Sequence, residues 1–172
     1  MNKLITIVIL AFILLVGGIL LFRHHQQFYY LSEKIELSYK KKDYSKVKLL
    51  CDKYLNLANK RKRNWNYGNA IHDANIYLGL VALKESDIKL ANMYLLKAGG
   101  TPGSPQLNSF GPSFVLARKL LENGEKEAVL KYLDSVEVFW ANPEELAKWK
   151  QEINEGNLPK DYKWSLDVSP HR

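Results

Sequence analysis

The sequence predicts an all-α protein in which stacked helical hairpins follow an apolar N-terminal helix. Three observations lead to this prediction. Residues 4–22 form an apolar run without any charge. The rest of the chain repeats apolar residues at helical spacing and contains no alternating stretch long enough to indicate a sheet. Short polar turns at residue 43, at residues 85–87 and at residue 124 divide this helical region into pairs.

The apolar run is long enough to cross a membrane. Its nineteen residues, at about 1.5 Å of rise each, span roughly the hydrocarbon core of a bilayer. A cleaved signal peptide is the alternative, but its apolar region is about 7–15 residues long and ends at a small-residue cleavage site. Here Arg23 follows directly, so we predict an uncleaved anchor over residues 1–22. Basic residues after the run favour a cytoplasmic domain. Long domains cross membranes regardless of charge, however, so the side stays open.

The helices after the anchor are predicted in order from apolar residues at helical spacing and from the turn and capping residues between them. We expect three pairs of helices: residues 27–40 with 44–59, 68–84 with 87–98, and 112–123 with 125–140. Asn142, Pro143 and Glu145 then give the cap, first-turn proline and reciprocal acid of one further helix. These elements divide into a juxtamembrane pair over residues 23–64, a core over residues 65–141, and a capping helix with a loosely attached tail over residues 142–172.

The second and third pairs repeat the same order of small and large apolar residues. When Leu78 and Gly79 are aligned with Leu116 and Ala117, Ala91 falls on Val129, Leu95 on Leu133 and Ala98 on Val136. This pattern is typical of tetratricopeptide-type hairpins, which repeat about every 34 residues. Such a hairpin cannot bury its own apolar face, so it stacks on neighbours and builds a binding surface. The first pair fits less well, and a helical bundle with coincidental spacing is the alternative.

A polar row on the second pair faces an unusual loop. Asn69, His72 and Asn75 lie at i, i+3 and i+6, on roughly one helical face. The loop, residues 100–112, contributes Gln106 and Asn108, and its prolines and glycines predict no regular structure across residues 101–111. The row is either a recognition patch for a partner or the seat of the loop, satisfying its backbone groups. We favour the seat.

Catalytic and metal-binding signatures are missing from the sequence, so we expect no enzyme, cofactor or metal site. No nucleophile, zinc or phosphate-binding motif is present. His72 has no obvious cysteine or carboxylate partner, and an enzyme centred on it is the weakest hypothesis. The single cysteine, Cys51, is expected in the core. No small-molecule substrate is indicated.

The chain is basic, with a formal net charge of +7 and a pI near 9.3. Part of the excess is concentrated in one cluster: Lys60, Arg61, Lys62 and Arg63. A membrane-tethered domain with this cluster is expected to attract anionic lipid. Nucleic acid is a further alternative that we do not favour, because no recognition motif accompanies the charge.

The string GTPGSPQLNSFGP at residues 100–112 carries a family resemblance, together with Leu78-Gly79, LLENGE at residues 120–125 and Phe139-Trp140. On these residues, the chain from 65 to 140 resembles a family of bacterial proteins described only as uncharacterised or as tetratricopeptide-repeat proteins. The resemblance implies the repeat fold and no activity. We therefore expect a single-pass protein of the bacterial cell membrane that holds a protein or peptide partner by non-covalent contacts.

Overall fold

The computed structural model describes residues 3–165, with side chains described at residues 7–19 and 28–165. Helices follow one another along this part of the chain, which contains no strand, so the all-α prediction is confirmed. The helices are α1 (Lys3–Gln27), α2 (Leu31–Lys40), α3 (Tyr44–Asn59), α4 (Tyr67–Lys84), α5 (Ile88–Gly99), α6 (Pro105–Phe110), α7 (Val115–Glu122), α8 (Lys126–Val136), α9 (Pro143–Asn154) and a 3-10 helix, Tyr162–Trp164.

Three hairpins, α2 with α3, α4 with α5 and α7 with α8, share one turn conformation. In each hairpin, the residue two positions before the start of the second helix has a positive φ: Lys42 (59°), Ser86 (62°) and Gly124 (84°). In each, the next amide donates to the carbonyl oxygen five positions earlier: Asp43 to Ser38 (3.0 Å), Asp87 to Ala82 (2.9 Å) and Glu125 to Leu120 (2.9 Å). The turns recur after 86 − 42 = 44 and 124 − 86 = 38 residues, the offsets at which the apolar patterns align.

Two of these turns also explain where their second helices begin. Asp43 Oδ1 accepts from the Lys46 amide at 3.1 Å, and Asp87 Oδ1 accepts from the Leu90 amide at 2.9 Å. A capping carboxylate satisfies an amide that has no partner inside the helix, and truncating such a cap typically costs about 1 kcal/mol. Local sequence therefore fixes the start of α3 and α5.

Helix α4 is the centre of the domain. Fourteen of its eighteen residues are buried, because α2, α3, α5, α6 and α7 all pack against it. The close approach of α7 depends on Gly79, since a Cβ there would lie 2.2 Å from Leu116 Cδ2. One continuous core extends from Phe28 to Trp164, across the boundary near residue 64 that the sequence predicts.

The prediction that residues 101–111 lack regular structure is wrong. Helix α6 forms there because Ser104 Oγ accepts from the Leu107 amide at 3.0 Å and Pro105 occupies the first turn, where its fixed φ suits a helix and its missing N–H costs nothing. Gly111, with φ of 83°, ends the helix in a conformation that other residues rarely adopt. Proline and glycine here mark the two ends of a short helix.

The tail is docked on the domain, contrary to the prediction of loose attachment. Trp164 is fully buried, stacks on Phe114 with ring centroids 5.0 Å apart and meets Trp149 edge-on at 5.7 Å. Arg118 Nη1 also donates to the Trp164 carbonyl oxygen at 3.0 Å. A large aromatic side chain buries enough apolar surface to hold a segment without regular structure. Residues 166–172 lie outside the described residues.

Helix α1 is 25 residues long and its described apolar side chains are solvent-exposed, among them Leu14, exposed by 76%. Within the described residues, no helix combines the length and the apolar character needed to cross a bilayer. The transmembrane helix predicted over residues 4–22 thus gains no support from this finding and stays a prediction. Residues 28–30 form a turn, so α2 begins at Leu31 rather than at residue 27.

We predict that Gly79→Ala destabilises the domain by about 1–3 kcal/mol, because the added methyl group overpacks the contact with Leu116. Urea unfolding followed by circular dichroism measures the loss. Gly100→Ala is the matched control, since its nearest neighbour would lie at an ordinary 3.5 Å. Because Leu116 is itself fully buried, Leu116→Ala also destabilises the domain, but its combination with Gly79→Ala should cost less than the sum of the two separate losses. Equal stability of Gly79→Ala and Gly100→Ala would contradict the close approach of α4 and α7.

Candidate functional site

Helix α4 presents a row of polar side chains to the protein interior. Asn69, His72, Asp73 and Asn75 are all at most 5% exposed. A buried polar group without a partner costs about 1–3 kcal/mol, so each of these side chains needs a hydrogen bond inside the protein. The loop at residues 100–112 meets much of that need.

The first half of the loop is held by Asn69. Ser104 Oγ donates to Asn69 Oδ1, and Asn69 Nδ2 donates to Gln106 Oε1 and, at 2.9 Å, to Asn66 Oδ1. One amide thus uses both its donor and its acceptor side. Thr101 Oγ1 adds a bond of 2.8 Å to the Gly68 carbonyl oxygen.

Gly68 lets the loop come this close to α4. A Cβ at residue 68 would lie 1.7 Å from the Gly103 carbonyl oxygen, a distance that no side chain can accommodate. Gly68 therefore serves as a contact surface for backbone, in the way that glycine permits.

The residue that directly follows the loop, Ser113, is held by His72. The Ser113 amide donates to His72 Nε2 at 3.3 Å, and Tyr132 Oη donates to the Ser113 carbonyl oxygen at 2.8 Å. Because an amide can only donate, Nε2 accepts and the ring proton lies on Nδ1. That N–H donates to Asp73 Oδ1 at 3.0 Å, and Ser32 Oγ of α2 donates to Asp73 Oδ2 at 3.0 Å.

This chain of groups links α2, α4, the loop and α8. Burial, together with the nearby Asp73 carboxylate, raises the pKa of Tyr132 well above its ordinary value, so the phenol remains a donor. Ser113 bonds to His72 through its backbone amide, while its side-chain Oγ accepts from the Val115 amide at 3.5 Å. His72 is completely buried, and we call this set of hydrogen-bonded groups the buried lock.

The predicted site residues divide into three groups. Asn69, Gln106 and His72 lie at the contact between α4 and the loop. Asn108 acts within the loop, where its Oδ1 accepts from the Ser104 amide at 3.2 Å. Asn75 does not reach the loop, because its Nδ2 donates to the Ile71 carbonyl oxygen at 2.7 Å within α4.

The statement that His72 has no carboxylate partner is wrong. Asp73 is that partner, although neighbouring residues on a helix usually point to different faces. Sequence reasoning also missed Ser104 and Ser113, whose position relative to α4 only the fold decides. The run of short polar residues in the middle of α4 was the signal in the sequence that these side chains have tertiary partners. Such residues otherwise favour helix ends.

Two exposed aromatic side chains lie where the tail meets the loop, one from each segment. Phe110, at the end of α6, is 74% exposed, and Tyr162 is 69% exposed. Lys163 connects them, since its Nζ donates to the Phe110 carbonyl oxygen at 3.3 Å and lies 4.9 Å from the Tyr162 ring centroid. We call Phe110, Tyr162 and Lys163 the aromatic patch.

The predicted basic cluster forms the turn between α3 and α4. We call Lys60, Arg61, Lys62 and Arg63 the basic turn. Residues 59–64 line a shallow surface depression of about 630 Å³. The basic turn and the aromatic patch are thus two separate exposed features of different chemistry.

The described part of the chain contains neither a candidate metal-binding cluster nor an exposed thiol. No group of three or more histidine, cysteine, aspartate or glutamate side chains there could hold a metal ion. Cys51 is buried, and burial raises the pKa of its thiol above the ordinary value, which keeps it unreactive.

No protein-family model, curated protein or solved structure matches this chain. The resemblance to tetratricopeptide-repeat proteins therefore stays a prediction.

We predict that Asn69→Ala loosens the loop while Asn75→Ala does not. Removing the Asn69 amide leaves Ser104 and Gln106 without their hydrogen-bond partner. The unfolding free energy should therefore fall by about 1–3 kcal/mol. Amide exchange should accelerate across residues 101–113. The Asn75 bond stays within α4, so its loss should leave exchange in the loop unchanged. Hydrogen exchange followed by mass spectrometry of the full chain in detergent measures both. Equal protection of the loop in both variants would show that Asn69 does not hold it.

Proposed function

We propose that this protein is a membrane-anchored helical-repeat protein that binds a protein or peptide partner through the aromatic patch. The observation that carries the proposal is an exposed phenylalanine on a rigidly held loop. Phe110 ends α6, and buried polar side chains of α4 fix the loop on both sides of that helix.

Rigidity and exposure together favour a recognition role. An exposed aromatic side chain loses apolar hydration when a partner covers it, and aromatic residues are enriched among the residues that dominate binding energy. A pre-ordered loop avoids the entropy cost that a flexible loop pays on binding. A connecting loop with no function rarely needs so many buried bonds, and functional residues concentrate on loops positioned by a rigid scaffold.

The repeat class belongs to the proposal. Three hairpins with the same turn support a tetratricopeptide-type arrangement. So do buried apolar residues at matching positions, Ala91 with Val129 and Ala98 with Val136. Proteins built from such hairpins bind extended or helical segments of other proteins. The buried lock around His72 supports a binding role over an enzymatic one, because it offers no accessible nucleophile or base.

The anchor belongs to the proposal as well. An uncharged run at residues 4–22 lies within the 25-residue helix α1, and its described apolar side chains, from Ile7 to Ile19, are almost all exposed. An exposed apolar surface of this extent is unfavourable in water. Lipid is the environment that suits an apolar run of this length without charges. We place the protein in a bacterial cell membrane and leave the side of the domain open.

The partner hypothesis is tested by photocrosslinking in the native membrane. A photoreactive amino acid at exposed Ser109, next to Phe110, should give a specific adduct in the full chain. Adding Phe110→Ala should reduce the adduct about tenfold, as expected for truncating a residue that dominates binding. Leu49→Ala is the matched control, because Leu49 is also exposed, by 68%, but lies on α3. An adduct that survives Phe110→Ala, or that responds equally to Leu49→Ala, would refute binding at the aromatic patch.

The anchor hypothesis predicts that the full chain stays with the membrane after alkaline carbonate extraction and keeps its N-terminus. Leu14→Lys should weaken insertion, since a lysine at the centre of a membrane helix costs about 2.5–3.5 kcal/mol. Fractionation, immunoblotting and mass spectrometry of the mature terminus measure this. Recovery of the unsubstituted protein in the soluble fraction, or a mature start near Arg23, would refute the anchor.

A further inference from the structure

The basic turn lies against the residues that directly follow α1. The Arg61 guanidinium sits over the Phe28 ring, 5.1 Å from its centroid. Asn64 Nδ2 donates to Tyr29 Oη at 3.0 Å, and the Trp65 ring stacks on Tyr29 at 5.6 Å. Since α1 ends at Gln27, three successive contacts fix the turn at the point where the chain leaves that helix.

The turn is ordered by its own backbone. The Arg61 amide donates to the Ala58 carbonyl oxygen at 2.7 Å, and the Asn64 amide donates to the Arg61 carbonyl oxygen at 2.8 Å. Lys60, Lys62 and Arg63 are exposed. Three cations thus project from a fixed turn beside the depression at residues 59–64.

The charge of this surface is uncompensated. Neither residues 1–32 nor residues 53–72 contain an aspartate or glutamate. Within the described residues, no carboxylate forms an ion pair with the basic turn. Other lysines do have such partners: Lys48 meets Glu85 at 2.6 Å, and Lys150 meets Asp134 at 2.7 Å.

Arg61 adds a charge beneath the surface. Its Nη1 is buried and has no hydrogen-bond partner in the described structure. The ring of Phe28 supplies a favourable face for the cation but no negative charge. The basic turn therefore concentrates positive charge beside Phe28, directly after α1.

We infer that the basic turn binds the phosphate groups of anionic phospholipids at the surface of the membrane that holds α1. The inference rests on the proposed anchor, which brings the turn to the level of the headgroups. Basic residues close to an anionic bilayer are attracted to it, and the attraction decays within a Debye length of about 10 Å at moderate salt. Trp65, 52% exposed beside the turn, suits the interface between headgroups and hydrocarbon, where tryptophan is enriched.

Trp65 also supplies the measurement. The other three tryptophans, Trp140, Trp149 and Trp164, are at most 4% exposed, so lipid-borne quenchers reach Trp65 selectively. The full chain is reconstituted in phosphatidylcholine bilayers that contain either spin-labelled phosphatidylcholine or equally spin-labelled phosphatidylglycerol. The ratio of quenching by the two labelled lipids reports preference for the anionic headgroup, and Trp65→Phe identifies the signal.

We expect the labelled phosphatidylglycerol to quench severalfold more strongly at low salt, and the preference to shrink at about 1 M salt, where the Debye length falls to about 3 Å. Replacing Lys60, Lys62 and Arg63 by serine should bring the ratio to one. Arg61 is retained because it packs on Phe28. An unchanged melting temperature shows that the exposed substitutions leave the fold intact.

The matched control removes three charges at the other end of α3, about 24 Å away at 1.5 Å per residue. Lys40 and Lys41 are replaced by serine, and Lys42, whose φ is positive, by asparagine. This variant should keep the full preference for phosphatidylglycerol. A ratio of one in the unsubstituted chain, or equal loss in both triple variants, would overturn the inference.

Two further outcomes are distinguishable. If the anchor fails but the turn binds lipid, carbonate releases the chain, labelled phosphatidylcholine no longer quenches, and labelled phosphatidylglycerol still does, which supports the turn alone. If a short DNA duplex changes Trp65 emission and labelled phosphatidylglycerol does not, the turn recognises nucleic acid and the lipid inference is overturned.

Discussion

Satisfying the buried polar side of α4 is the constraint on which the rest of the structure depends. The central helix of a hairpin stack is surrounded by apolar neighbours, yet here it carries Asn69, His72 and Asp73 in its interior-facing positions. Each needs a partner, because an orphaned polar group inside a protein costs more than a typical hydrogen bond contributes. Ser104 of the loop serves Asn69, Ser113 directly after the loop serves His72, and Ser32 of α2 serves Asp73. The loop is thereby ordered, and α2 and α8 are tied to the same helix through Asp73 and Tyr132.

The hairpins give this network a regular frame. Three turns with the same hydrogen bond repeat the same local connection between first and second helix. Departures from regularity fall where α7 approaches α4. Gly79 removes a side chain to permit the contact with Leu116, and the long connection forms α6 instead of a short turn. Specific features thus concentrate between the second and third hairpins, beside the aromatic patch.

Two surfaces of different chemistry follow from this frame. The aromatic patch joins Phe110 of the loop to Tyr162 and Lys163 of the tail. The basic turn instead packs on Phe28 and Tyr29 directly after α1. Asn66 connects the two. Its amide donates to Asn64 Oδ1 at 2.9 Å, and the Asn64 amide donates to the Arg61 carbonyl oxygen, while Asn66 Oδ1 accepts from Asn69, which holds the loop. The turn that we assign to anionic lipid and the loop that we assign to a partner are therefore parts of one hydrogen-bonded scaffold.

Local sequence determined most helices of this protein, the aspartate caps of α3 and α5 and the pairing of the three hairpins. Aspartate caps and apolar stripes act within a few residues of one another. It also brought Asn69 and His72 to attention, as polar residues out of place in a helix. Sequence reasoning failed where partners are distant in the chain. The bond between Asp73 and Ser32, the bond between Ser113 and His72 and the stacking of Trp164 on Phe114 each join residues about 40 or more positions apart. Only the packing of α2, α4, the loop and the tail decides such contacts, since no local preference distinguishes a polar residue that will be buried and satisfied from one that will face water.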